Sequence, residues 1–217
     1  MRRLILILVS LHALNTIASA EKSDFGVWTF LGASKKINHV MTVYTEAEYR
    51  NRENAHTTDC WSLYGELSAR ICPFLRGGGG YTFIHYNNPG LSWEPRHRLN
   101  LFLAGNYSTG AWNFTLRERY EEVHRRNSGP KRSLRSRIEC IFKTPHSIFA
   151  PYATAELYTT LKTGDKAMSN EKMRYTFGTL IQFAKKHTFS VYYRYIDMTY
   201  RVGGNSHILG AGFKFNL

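Results

Sequence analysis

The chain has 217 residues, 29 of them Lys or Arg against 16 Asp or Glu, for a net charge of +13. Apolar residues make up 43% and aromatic residues 14%, with Tyr the most frequent ring, yet the mean hydropathy is only −0.37. Downstream of the first residues no segment approaches the ~18 consecutive apolar residues of a spanning helix, and helical periodicity is absent.

At the start, Met1-Arg2-Arg3 precedes Leu4-Ile5-Leu6-Ile7-Leu8-Val9, a positive region and then an apolar one, and Ala18-Ser19-Ala20 supplies a small-residue cleavage site. Residues 1–20 are therefore expected to be a cleaved signal peptide, leaving 21–217 as one domain. Export argues against nucleic acid as the partner of the positive charge. The charge would then meet anionic lipid or lipopolysaccharide phosphates, or turn into a lumen. Cys60, Cys72 and Cys140 have no metal-type spacing. A Cys60–Cys72 disulfide across neighbouring strands is one reading open to them.

From residue 24 onward the sequence reads as strand after strand, because side chains of alternating character mark a two-faced strand. Residues 25–34 fit two places, a first strand of the wall or a segment associated with the barrel. Met41, Val43, Ala47 and Tyr49 then oppose Tyr44, Glu46, Glu48 and Arg50. Trp61, Leu63, Leu67, Ala69 and Ile71 oppose Ser62, Tyr64, Glu66, Ser68 and Arg70. The run Gly77-Gly78-Gly79-Gly80, which lets a strand bend, precedes Tyr81 and Phe83. Leu99, Leu101 and Leu103 oppose Arg96, Arg98 and Asn100; Trp112, Phe114 and Leu116 oppose Arg117, Arg119 and Glu121. Leu134, Ile138, Cys140 and Phe142 oppose Arg135, Arg137 and Glu139, and Ala153, Ala155 and Leu157 oppose Tyr152, Thr154, Glu156 and Tyr158. Tyr175, Phe177, Ile181 and Phe183 oppose Arg174, Thr176 and Gln182, and Phe189, Val191, Tyr193 and Tyr195 oppose Ser190, Tyr192 and Arg194. The last strand puts Leu209, Ala211, Phe213, Phe215 and Leu217 on one face.

Each run is long enough to cross a bilayer when tilted. Polar connections at 51–57, 87–95, 124–131, 162–170 and 202–206 alternate with tighter ones at 35–38, 72–74, 108–110, 144–148 and 184–186. This pattern predicts an all-β, antiparallel up-and-down transmembrane β-barrel of about ten strands, or twelve if two have been merged. The expected location is the outer membrane of a Gram-negative bacterium. Leu209, Phe213, Phe215 and Leu217 read as the signal recognised by the barrel-assembly machinery. Such chains usually end on Phe, from which Leu217 departs.

The polar faces bring Glu46, Glu48, Glu66, Arg96, Arg98, Arg117, Arg119, Arg135, Arg137, Glu139, Glu156, Arg174 and Arg194 inward, joined by Arg50, Arg70 and Glu121. A charge facing lipid at the midplane would cost about 2–4 kcal/mol. Glu118 falls on the apolar face, so it is expected at the interface or beside a register-shifting bulge. An Arg/Glu-filled lumen in a structural or interaction protein is the first reading. A narrow anion-favouring pore is the second, and a lipid hydrolase using His146–Ser147 or His187–Ser190 the third. No catalytic acid is placed for either pair. His85 and His97 could meet across a hairpin, but without carboxylate or Cys ligands they read as interface residues rather than a metal site. No cofactor is expected, and the chain reads as a monomer partnered by outer-membrane lipid and lipopolysaccharide.

Several stretches carry a family likeness: Trp28-Thr29-Phe30-Leu31-Gly32, Arg96-His97-Arg98-Leu99, Leu116-Arg117-Glu118-Arg119-Tyr120 and Leu134-Arg135-Ser136-Arg137. Pro151-Tyr152-Ala153-Thr154-Ala155-Glu156-Leu157, Arg174-Tyr175-Thr176-Phe177-Gly178, Tyr192-Tyr193-Arg194-Tyr195 and His207-Ile208-Leu209-Gly210-Ala211-Gly212 complete it. The chain thereby resembles the domain of unknown function 2490 family, exported bacterial proteins regarded as outer-membrane β-barrels. The resemblance implies fold and compartment and brings no activity or catalytic residues. Gly77–Gly80 and the cysteines depart from the family pattern.

Overall fold

A computed structural model describes residues 23–90, 92–126, 128–161, 168–183, 186–198 and 204–217. The expected signal peptide, residues 1–20, lies outside them, as do parts of the connections expected at 162–170, 184–186 and 202–206. Eleven strands follow one another: β1 (Asp24–Lys36), β2 (Met41–Arg52), β3 (Thr57–Cys72), β4 (Leu75–Asn87), β5 (Trp93–Thr109), β6 (Trp112–Arg125), β7 (Ser128–Phe142), β8 (Phe149–Thr160), β9 (Ser169–Phe183), β10 (His187–Asp197) and β11 (Ser206–Asn216). Each pairs antiparallel with its sequence neighbour, and β1 and β11 close the barrel.

The count falls between the two expected, and residues 25–34 supply the difference as part of β1. With an odd number of strands the first and last run the same way, so β1 and β11 pair in parallel, from Asp24↔Ser206 to Ser34↔Asn216. The seam is finished at both ends by backbone bonds, Asp24 N–H to Asn205 and Leu217 N–H to Ser34. β1 and β11 therefore both start at one end of the barrel, the loop end, with the connections around residues 53–56, 88–92 and 126–127. They finish at the other, the turn end, with those around 37–40, 73–74, 110–111 and 143–148. The connection expected at 124–131 shrinks to residues 126–127, because Ser128-Gly129-Pro130 begins β7. Turn-type composition there continues the wall instead of leaving it.

The wall has two faces. Leu31, Leu63, Leu67, Leu99, Leu101, Leu103, Leu116, Ile138, Val191 and Leu209 are all exposed, Leu101 to 66% and Ile138 to 54%. Tyr49, Trp61 and Trp93 stand toward the loop end of this belt, and Tyr107, Trp112, Phe114, Phe149, Phe183 and Phe215 toward the turn end. The buried side chains project the other way: Trp28, Ser62, Asn100, Phe102, Glu121, Glu156, Arg174, Tyr192 and Ile208 alternate with exposed neighbours. The core of this fold is the lumen.

Aromatic side chains fill that lumen where facing glycines leave room. A Cβ at Gly210 would collide with the Tyr192 ring on the paired strand, and one at Gly212 with Phe30 across the β1–β11 seam. Gly78 and Gly80 likewise lie 2.9 Å and 2.8 Å, measured from such a Cβ, from Phe102 and Tyr64. The four-glycine run is thus a floor for two rings, more than a bend. Pro151, which has no N–H for a ladder, lies one residue past Tyr152, where the β7–β8 pairing stops.

Cys60 and Cys72 lie on the same strand, near its two ends, so the disulfide between neighbouring strands does not form; all three cysteines are free. Twelve residues of extended chain separate them by roughly 40 Å, far beyond disulfide reach.

Overpacking of the ring-on-glycine contacts is expected to cost about 1–3 kcal/mol. Gly210→Val should therefore lower the thermal midpoint of the folded barrel in detergent. Gly65→Ala, where nothing stands within 4 Å of the added carbon, should leave it unchanged. Circular dichroism melts check the pair.

Candidate functional site

The inward charges form a belt of shared carboxylates. Glu121 on β6, 3% exposed, is the best-shared of them. Its Oε1 accepts from Arg135 Nη1 at 2.7 Å and lies 3.6 Å from Arg119 Nη1, and its Oε2 lies 4.0 Å from Arg98 Nε. Glu66 on β3 reaches across the lumen to β6, where Arg117 Nη2 stands at 2.7 Å and Arg119 Nη2 at 3.8 Å. Glu156 on β8 takes Arg135 Nη2 at 2.7 Å, Arg174 Nη1 at 3.7 Å and the Tyr158 hydroxyl at 3.0 Å.

The belt continues through an aromatic ring. Trp28 on β1 is covered by the guanidinium groups of Arg50, Arg194 and Arg174, with centroid distances of 4.0, 5.1 and 5.4 Å. Arg50 in turn bonds Glu48 at 2.5 Å. Each such cation–ring contact contributes about 0.5–2 kcal/mol, and the ring thereby joins β2, β9 and β10. Arg117 and Arg96 stack similarly on Phe102 (3.8 Å) and Tyr86 (3.6 Å). The Trp28 link was missed in the sequence because Gly26, Trp28, Phe30 and Gly32 offer no polar face to recognise. Its signal was the alternation of aromatic and glycine on one side.

The remaining predicted residues fall around this belt. Arg96 bonds Glu94 and Asn88 near the loop end. Glu46 accepts from the Tyr44 hydroxyl. Arg194 Nε donates to Thr176 at 2.9 Å. Arg137 lies directly opposite Arg117 on one side and Glu156 on the other, and Glu139 faces Thr115 and Thr154. Further pairs not read from the sequence close the loop end: Lys131 with Glu171 at 2.5 Å, and Arg52 with Asp59 at 3.2 Å. Just outside the wall, hydrogen bonds from Thr57 and then the Arg52 charge hold the Glu53 carboxyl below the usual carboxylate range.

Glu118 departs from both expectations. It stands near the middle of β6, not at an end, and the only register shift in the β6–β7 pairing lies between Val123 and Arg125. The carboxylate points outward among Leu101, Leu103, Leu116 and Ile138, and its Oε2 accepts from Ser136 Oγ at 2.7 Å. A neighbouring hydroxyl, rather than a shift of backbone, accommodates it.

The candidate catalytic pairs are not assembled. His187 faces outward against Phe213 and Phe215, whereas Ser190 faces inward and donates to the Gly212 carbonyl. Ser147 Oγ is engaged with the Phe149 backbone. His97 Nδ1 meets the Tyr81 hydroxyl at 2.6 Å and His85 stacks on Trp93 at 4.9 Å. Among the described residues no three His, Cys, Asp or Glu side chains cluster as metal ligands.

Breaking a buried ion pair from one side costs about 3–5 kcal/mol. Glu121→Ala, which strips the shared carboxylate from three arginines, should lose stability of that order in denaturant unfolding from micelles. Glu122→Ala, on the outer face where the carboxylate meets Arg132 and His124, should change it far less.

A family model described as a protein of unknown function (DUF2490) matches residues 25–206, and the chain belongs to that family. No curated protein matches the chain.

Proposed function

We propose that this member of the family is a monomeric outer-membrane barrel of a Gram-negative bacterium, exported by its N-terminal signal peptide. Its lumen is braced shut, and it acts through the surfaces at its two ends, toward lipopolysaccharide and outer-membrane lipid. The observation that carries the reading is the reversal of faces. The exposed side is an aliphatic belt between aromatic rows, interrupted by the Glu118–Ser136 pair, and the buried side holds most of the charges. A soluble barrel needs the opposite arrangement, since exposed apolar patches beyond a few hundred Å² mark an interaction surface, whereas lipid satisfies this one.

The braced lumen favours a structural or interaction role over transport. Glu66, Glu121 and Glu156 each span more than one strand, and Trp28 links β1 to β2, β9 and β10. A narrow anion-favouring path is the second reading, supported by the excess of inward Arg over Glu. Planar-bilayer recording separates them. The braced barrel gives no steady conductance, whereas reproducible anion-selective current that drops on Arg117→Glu would establish the pore.

The placement has its own test. Leu101→Arg should reduce the amount of barrel assembled in lipid vesicles, by about 2–4 kcal/mol if it lies at the midplane, and Glu118→Leu should raise it. Carbonate extraction of the native protein from membranes without detergent would overturn the placement. Phe215→Asp should lower assembly by the cellular machinery while sparing refolding in detergent, as a recognition signal requires.

A further inference from the structure

Like charges directly opposite one another across two strands destabilise a sheet, and the described barrel contains three such arginine pairs. Arg119 faces Arg135 and Arg117 faces Arg137 on β6–β7; Arg70 faces Arg76 on β3–β4. In the first pair Glu121 Oε1 is shared by both guanidinium groups. In the second, Glu66 bonds Arg117 and Glu156 lies across from Arg137. Both opposed pairs on β6–β7 thus have a carboxylate beside them.

Arg70 and Arg76 depart from this. They line a cavity of about 240 Å³ at the turn end, together with Lys36, Thr42, Ser68 and Asn106, and no Asp or Glu lines it. Lys36 is the register partner of Thr42, and Thr42 of Ser68, so charge and hydroxyls come from three consecutive strands. The connections at this end, residues 37–40, 73–74, 110–111 and 143–148, contain no acidic residue either. Three cations and two hydroxyls thus converge without the oxyanion that accompanies opposed arginines elsewhere in the barrel.

We propose that this mouth binds a phosphate group between Arg70 and Arg76, with Lys36 as the third charge and Thr42 and Asn106 as neutral donors, while Ser68 Oγ donates to the Thr42 carbonyl beneath them. A phosphate fits better than a carboxylate. Two guanidinium forks and an ammonium, carried on β3, β4 and β1, offer more donors than a planar carboxylate uses, which one fork satisfies. The group belongs either to free phosphate or to a phospholipid head group at the barrel rim. The cavity opens at the rim, where Lys36, Arg70, Arg76 and Asn106 are exposed; the free-phosphate form of the proposal stands whatever surrounds the wall, and the head-group form rests on the outer-membrane placement.

The test uses the folded protein in neutral detergent, titrated with inorganic phosphate and followed by phosphorus NMR. In parallel, the protein in nanodiscs of phosphatidylglycerol or phosphatidylcholine is released for native mass spectrometry. Saturable phosphate binding, weakened about tenfold or more in Arg70→Gln/Arg76→Gln and retained in Arg70→Lys/Arg76→Lys, supports the site with free phosphate. Retention of phosphatidylglycerol by the wild type but not by the glutamine variant, uncompeted by phosphate, supports it with the head group. Lys143→Gln, a cation of the same end outside the cavity, should bind as wild type does. Should the glutamine variant fail to fold, the unaltered protein still reports. Cys72 lines the same cavity, so phosphate or phosphatidylglycerol should slow its labelling by a thiol reagent while Cys140 labels at an unchanged rate. The proposal is overturned if neither probe distinguishes wild type from the glutamine variant, if Lys143→Gln weakens binding equally, or if Cys72 labelling is unaffected.

Discussion

A carboxylate shared between arginines is the interaction on which the interior depends. An isolated guanidinium in the lumen would lose much of its hydration, and two facing one another would repel. One glutamate touching both removes the repulsion and ties their strands together. Glu121 does this for Arg119 and Arg135, and Glu156 extends the chain from Arg135 to Arg174. Because Arg can bond through separate Nη atoms, Arg135 serves two carboxylates at once. The lumen is therefore cross-linked by charge more than it is packed by aliphatic groups.

The aromatic–glycine contacts do a second job in the same space. Rings at Phe30, Tyr64, Phe102 and Tyr192 lie against glycine backbone on facing strands. At Gly210 and Gly212 the contact helps fix register, because a one-residue slip turns the whole strand's side chains to the other face and brings Leu209, Ala211 or Phe213 opposite the ring-bearing residue. Charge sharing and ring seating thus specify the same strand order by different physics. Trp28 takes part in the first through the three guanidinium groups that cover its ring.

Much of the wall was legible in the sequence, since a period of two needs no tertiary information. Leu209, Ala211 and Phe213 announce their face as plainly as Arg117, Arg119 and Glu121 announce theirs. The place of residues 25–34 was not legible. The inward side of β1 is Gly26, Trp28, Phe30 and Gly32, none of them charged, and its role rests on contacts with β2, β9, β10 and β11. Which glutamate serves which arginine was equally hidden, since Glu66 and Arg117 are 51 residues apart and meet only when the sheet closes. At 124–131, turn-forming residue types outweighed the fact that Ser128 already pairs with Arg125. Glu118 was read on its correct face, but Ser136 as its donor depends on the β6–β7 register.

The parallel seam separates the two ends of the described chain. Asp24 sits at the loop end and Asn216 at the turn end, with the full height of the wall between them. A barrel with an even number of strands returns its last residue to the side from which its first departed; this one does not. Were the wall threaded through a bilayer, the chain's beginning would be delivered to one compartment and its end retained in the other. Epitopes fused at the two ends would then report on opposite faces of the membrane, and β1 could seal the cylinder only after its leading residues had crossed.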